Sequence, residues 1–256
     1  MSARAGRLGL EVGVTALIFA AIWLFTTSSD SYLVVALPDM LSRFREVWLF
    51  DRVGSDLVPS LVRMTYGYVT AVVVGVVVGV AIGLMPLLRA LTHPLISFMR
   101  AVPPIALLPP AIIVLGLGNS MRVFIIAFVC VWPVLLNAAD GTAELNKTLT
   151  DTARVYGLSI GQRLRFVILP AASPRIFAGM RTSLSFAVLL LVTSEWIAST
   201  NGVGSFLIQA QQTFRITDMW AAIILLGLLG YSLNQVFSLV ERRVLRWHLR
   251  STATSA

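Results

Sequence analysis

Six stretches of the chain hold enough consecutive apolar residues to cross a bilayer, which takes about 20 residues of helix: 8–25, 60–84, 99–117, 121–139, 176–198 and 218–240. The pattern predicts an all-α membrane protein of about six transmembrane helices. The first stretch follows Arg4 and Arg7, a layout that signal peptides share with signal anchors. It is long enough to span and no small-x-small cleavage site follows, so it is expected to be the first spanning helix. Pro103, Pro104, Pro109 and Pro110 interrupt the third stretch. Between the first two, residues 28–58 set Leu37, Leu41, Phe44, Trp48 and Leu49 at three-to-four spacing among Asp39, Arg43, Arg45 and Glu46. That spacing predicts a short amphipathic helix lying on the outer surface.

The long polar interruption from Asp140 to Arg175 has a readable design of its own. Thr148 and Asp151 form a capping pair that opens a helix, and Gly157 supplies the left-handed residue that closes it. Ser159 and Gln162 repeat the capping spacing, after which Ile160, Leu164, Val167 and Ile168 share one face and Pro170 is expected to block continuation. The prediction is a two-helix hairpin over about 148–170, bent at Gly157-Leu158. Such a hairpin serves either as a lid over the inner helix ends or as a lever by which a partner moves the attached helices.

Composition narrows the class. Hydrophobic residues make up 57% of the 256 and charged residues 12%, with mean hydropathy +0.84, so 1–256 is read as one membrane domain. The net charge of +8 does not argue for nucleic acid, because the arginines lie between apolar runs and not in a stripe. With the N-terminus inside, 14 basic residues fall on the cytoplasmic side and 6 outside, which puts both termini in the cytoplasm. Trp48 and Trp220 are then expected at the outer interface and Trp247 at the inner one.

Cys130 stands alone within an apolar run and is read as a packing residue. There is no phosphate-binding Gly-rich loop, His93 and His248 have no ligand-spaced carboxylates, and no nucleophile–base pair is visible. An intramembrane enzyme is not indicated. Gly67, Gly75, Gly79 and Gly83 fall on one face of the second helix, suited to close helix packing or to a subunit interface.

Glu195 lies inside the fifth apolar run, where an ionised group must be paired or wetted. It is a candidate gate or solute contact, or else a helix-packing group bonded to a Ser, Thr or Arg; a bare carboxylate would repel an anionic solute. Asn137, Ser183, Ser185, Thr193, Ser194 and Asn234 could line a weakly polar path or bond between helices. Pro103, Pro104 and Pro109 free backbone carbonyls that suit a water-lined path.

Asp151-Thr152-Ala153, three residues, Gly157, nine residues and Val167-Ile168-Leu169-Pro170 resemble the signature Glu-Ala-Ala-x3-Gly-x9-Ile-x-Leu-Pro of bacterial ABC-importer permeases. The chain departs from it at Asp151, Thr152 and Val167. Arg100-Ala-Val-Pro-Pro-Ile-Ala-Leu-Leu-Pro109, Gly116-Leu-Gly118, Ser194-Glu195 and Gly202-Val-Gly204 are similar to the nitrate, sulfonate, taurine and pyrimidine-precursor branch. The likeness covers about 36–248.

The resemblance implies a permease of the bacterial plasma (inner) membrane that works by alternating access. Its coupling element would comprise Asp151, Thr152, Ala153, Arg154, Gly157, Leu158, Ser159 and Pro170. It implies a cytoplasmic ATP-binding subunit, an extracytoplasmic solute-binding protein and a second permease copy, here a homodimer. ATP and Mg would sit on the partner ATPase, with no cofactor in this chain. The expected solute is a small anion such as a sulfonate or nitrate, or a pyrimidine precursor. The alternative, an ion-coupled secondary transporter, calls for intramembrane charges and an internal repeat; the chain offers one such charge and no repeat.

Overall fold

The computed structural model describes residues 35–247 and part of 13–27. Most of the first predicted span, with Arg4, Arg7 and His248, lies outside the described residues. Among the described residues every regular element is helical. From residue 35 onward these are, in chain order, α1 (Leu37–Glu46), α2 (Val58–Leu84), α3 (Pro86–Ala101), α4 (Leu108–Leu115), α5 (Asn119–Ala143), α6 (Lys147–Val155), α7 (Ile160–Arg163), α8 (Leu169–Ala198), α9 (Val203–Gln212) and α10 (Ile216–Val244). Four helical runs, Val53–Leu84, Asn119–Ala143, Ile160–Ile197 and Ile216–Val244, are long and apolar enough to cross a membrane.

The bundle is organised around α5, with α2 against one side and α8 against the other. Apolar burial cannot drive this association when lipid is as apolar as leucine, so close approach and hydrogen bonding must. The glycines of α2 provide the approach. A Cβ on Gly67 would come within 2.7 Å of Ile126, and one on Gly75 within 2.8 Å of Val134; on Gly79 and Gly83 it would strike backbone carbonyls of α5. The glycine face is therefore consumed inside the chain and is not left for a second subunit.

On the other side of α5, Ser183 Oγ donates to the Cys130 carbonyl at 2.7 Å and Cys130 Sγ to the Ser183 carbonyl at 3.4 Å. Cys130 is fully buried, in the central cluster with Met64, Met121, Ile125 and Leu191.

Three expectations need correction. Stretch 99–117 is not one helix: α3 and α4 with its leading 3₁₀ turn meet at 91°. The residue before a proline is driven to extended backbone, and Val102 and Pro103, preceding Pro103 and Pro104, have ψ of 121° and 127°. Pro170 does not end a helix. Residues Leu164–Ile168 form a wide π-helical turn in which Leu169 N–H bonds Leu164 O, five residues back. The widened turn accommodates a residue that lacks its own N–H, and the helix runs from Ile160 to Ile197. Trp48 is not interfacial: only 2% exposed, it packs edge-to-face on Phe206 of α9 at 5.0 Å.

The amphipathic segment before α2 forms α1, which lies against α10, and Arg43 bonds Asp218 there. That carboxylate, with Glu46, raises the Arg43 pKa further above its ordinary value. Helix α9 was not anticipated, because ten residues bounded by Gly202 and Thr213 are too short to register as a span.

Gly79→Val should cost about 1–3 kcal/mol through overpacking against α5, read as a lowered thermal unfolding midpoint in detergent. Gly227→Ala, where a Cβ meets nothing within 4 Å, is the control and should be neutral or stabilising.

Candidate functional site

Two polar constellations occupy opposite ends of α8. At about 1.5 Å per residue, Pro170 and Glu195 are separated by roughly 37 Å of helix.

At the Pro170 end, α6 opens at Asn146, whose Oδ1 accepts from Thr148 N–H at 2.9 Å. The cap is thus two residues earlier than the Thr148–Asp151 pair suggested, and Asp151 instead pairs with Arg154 at 3.5 Å on the exposed face. Gly157 closes α6 as expected, with φ +71°, its N–H on Arg154 O at 2.9 Å and Leu158 N–H on Ala153 O at 3.1 Å. No atom lies within 4 Å of where a Gly157 Cβ would be, so the backbone conformation, not crowding, calls for glycine.

Ser159 and Gln162 then form the predicted reciprocal capping box, with Ser159 N–H on Gln162 Oε1 at 2.9 Å and Gln162 N–H on Ser159 Oγ at 3.4 Å. Ala153 is buried, Thr152 and Arg154 are exposed, and Pro170 is half-buried in the first turn of α8. Around the bend, Val155, Tyr156 and Ile160 are 86%, 80% and 83% exposed, a large apolar tip on a polar loop. Behind it, a cleft of about 610 Å³ reaches the C-terminal ends of α2 and α5 between Gly83, Thr142, Thr150, Arg154 and Arg163. The bend projects beyond this cleft and is joined to the bundle on one side through α6 and the turn 144–146 from α5, and on the other through the unbroken helix into α8.

At the opposite end of α8, Glu195 is 0% exposed. Its carboxylate accepts from Ser60 Oγ at 2.7 Å, Arg63 Nη1 at 2.9 Å and Gly204 N–H at 2.9 Å. Ser60 Oγ in turn accepts from Val203 N–H at 3.0 Å. Arg63 spends its other donors on the turns at either side: Nε on Asn119 Oδ1 at 2.8 Å, Nη2 on Asn201 Oδ1 at 2.6 Å and Nη1 also on Asn201 O at 3.2 Å. Asp56 Oδ1 accepts from Gly202 N–H at 2.7 Å. Gly202 has φ +120°, and a Cβ on it would overlap the Glu195 carboxyl group, while a Cβ on Gly204 would lie 2.6 Å from Val192 O. Both glycines of the Gly202-Val-Gly204 pattern are thus required by the approach of α9 to Glu195.

The candidate path residues separate. Glu195 is enclosed by its own chain, and Ser194, also buried, bonds Leu191 O of its own helix at 3.1 Å. Asn137 lies between α5 and α8, its side chain on Pro133 O at 2.8 Å. Pro103, Pro104 and Pro109 lie on the bent segment, Pro103 and Pro109 exposed. Sequence reasoning missed Ser60, Arg63, Asp56, Asn119 and Asn201. The available signal was Arg63 itself, a charge placed within the first two turns of an otherwise apolar helix. Among the described residues no group of three or more His, Cys, Asp or Glu could hold a metal ion.

The sequence model described as "Binding-protein-dependent transport system inner membrane component" matches residues 71–246. The bicarbonate transport system permease protein of Synechococcus elongatus is 32% identical over 243 residues, covering 89% of this chain and 86% of that protein. The taurine transport system permease protein of Escherichia coli is 35% identical over 193 residues, 75% of this chain and 70% of that one. An inward-facing conformation of the MetNI methionine ABC transporter shares the fold, with TM-score 0.60 and 21% identity over 78% of this chain and 97% of that chain.

Arg63→Gln should leave Glu195 buried without its counter-charge and cost about 3–5 kcal/mol, seen as a collapse in detergent-extracted folded protein. Arg63→Lys, which keeps the charge but cannot span Glu195, Asn119 and Asn201 together, should fall between it and the native protein in thermal unfolding.

Proposed function

The chain belongs to the family of binding-protein-dependent transport system inner membrane components, and from that premise we propose that α6, the Gly157 bend and α7 form the lever through which a separate ATPase drives it. It is the transmembrane permease subunit of an ATP-driven importer, of the nitrate, sulfonate and taurine branch.

The observation that carries the lever reading is the unbroken helical run from Ile160 to Ile197. A partner gripping the exposed Val155–Tyr156–Ile160 tip holds a rigid rod whose far end is Glu195. Asp151, Thr152, Ala153, Arg154, Gly157, Leu158 and Ser159 shape the grip, and Pro170 lies where the grip passes into the membrane. ATP with Mg is bound and hydrolysed on that partner. Two copies of this chain enclose the path, both termini lie in the cytoplasm, and a solute-binding protein delivers at the outer face. Closure of the ATPase pair draws the bends together and turns the path outward, which is alternating access.

The solute is a small anion. The names of cyanobacterial relatives, bicarbonate and nitrate, support that class, and taurine, a zwitterion, carries an anionic sulfonate group. With Glu195 neutralised by Arg63 and sealed from solvent, the carboxylate does not oppose anion passage. The ion-coupled alternative is not favoured, since the one charge it called upon is that same paired Glu195.

Affinity purification from the native membrane in mild detergent should recover an ATPase with this chain. Gly157→Val forces a β-branched residue into left-handed backbone at about 1–2 kcal/mol and should lower ATP-driven uptake about tenfold while the ATPase continues to hydrolyse ATP. Uptake unchanged in that variant would refute the lever.

A further inference from the structure

The outer end of the bundle has a fastening that the inner end lacks among the described residues. At the inner end, helices are joined by Arg89 with Asp140 (α3 to α5) and Arg175 with Glu144 (α8 to the end of α5), both pairs substantially exposed. Water can replace either partner of an exposed pair, so such pairs open and re-form at little cost. The outer end has pairs with partly exposed arginines too, Arg43 with Asp218 and Arg52 with Asp56, and adds a buried one. At the outer end, Arg63 and Glu195 are 5% and 0% exposed, and opening them would leave two charges in a medium without water. Their contacts reach α2 through Ser60 and Arg63, the start of α5 through Asn119, the turn after α8 through Asn201, and α9 through Val203 and Gly204.

We propose that Arg63 is a positioning residue that, bonded to Glu195, Asn119 and Asn201, locks the outer ends of α2, α5, α8 and α9 into one rigid block that does not part during the transport cycle. The proposal rests on the permease reading. The geometry leaves no slack in the block: Gly202 and Gly204 bring backbone onto the carboxylate so closely that a methyl group would not fit, and at least four of the five Arg63 donors have acceptors on three separate segments.

The test is a covalent tether in the complete transporter with its ATPase and binding protein. Leu117 and Thr200 have exposed side chains on the two turns that Arg63 joins. Leu117→Cys with Thr200→Cys, bridged by a short bifunctional thiol reagent that spares the buried Cys130, ties those turns within one chain. ATP-driven uptake of the tethered protein should equal that of the untreated double variant; uptake abolished by the tether overturns the proposal, because the turns would then have to separate during the cycle.

In a second arm, Arg63→Gln should lower uptake at least tenfold, and the tether should restore most of it in protein that still assembles with the ATPase. A variant that assembles but is not rescued overturns the positioning role. Should Arg63→Gln fail to accumulate, the tether in the native background decides alone. Absence of ATP-driven uptake in the native protein would remove the permease reading and this proposal with it, a result distinct from either arm.

Discussion

A carboxylate without access to water must be neutralised and hydrogen-bonded by its neighbours, and Glu195 draws two segments onto itself directly and two more through Arg63 to meet that demand. Ser60 and Arg63 come from the start of α2, Gly204 N–H from α9, and Arg63 brings Asn119 and Asn201 with it. The position of α9, the left-handed Gly202 and the mouth of α5 all follow from satisfying one buried charge. The same requirement explains why Glu195, although ionisable and inside the membrane domain, is a fastening and not an open binding group.

The remainder of the bundle obeys a different rule. Where lipid competes on equal terms with leucine, helices adhere by approaching closely and by sharing hydrogen bonds. On one side of α5 the glycines of α2 allow backbone to meet backbone; on the other, Ser183 and Cys130 exchange hydrogen bonds between α5 and α8. The polar residues within the apolar runs are thus used chiefly for cohesion. Prolines divide by context: Pro103-Pro104 force extended backbone and a right-angle bend, whereas Pro170 is absorbed by a π-helical turn and leaves the rod intact. That difference leaves an unbroken helical rod of roughly 37 Å between Pro170 and Glu195.

Much of this was legible along the chain. Four spanning helices coincide with apolar runs to within a few residues at most ends, because a bilayer accepts only helices that satisfy their own backbone. Gly157 and the Ser159–Gln162 box were readable because caps are local: donor, acceptor and dihedral angle lie within a few residues. The spacing of the same segment pointed to the permease family that the comparisons support. The cap at Asn146 was missed by two residues, within the usual uncertainty of helix ends.

What the sequence by itself determined, then, is what depends on neighbours along the chain: membrane class, span positions, the capped and bent loop, and the family resemblance carried by its motif. The tertiary structure alone decided what depends on residues far apart. Ser60 and Glu195 are 135 positions apart, and Arg63 and Asn201 138, so no spacing rule could show that Arg63 was the counter-ion of Glu195. It likewise decided that the glycine face serves α5 and not a subunit interface, that Trp48 lies under α9, and that Pro170 continues a helix. Each is a choice among partners equally compatible with local sequence, made by the geometry of packing and by the cost of an unpaired polar group away from water.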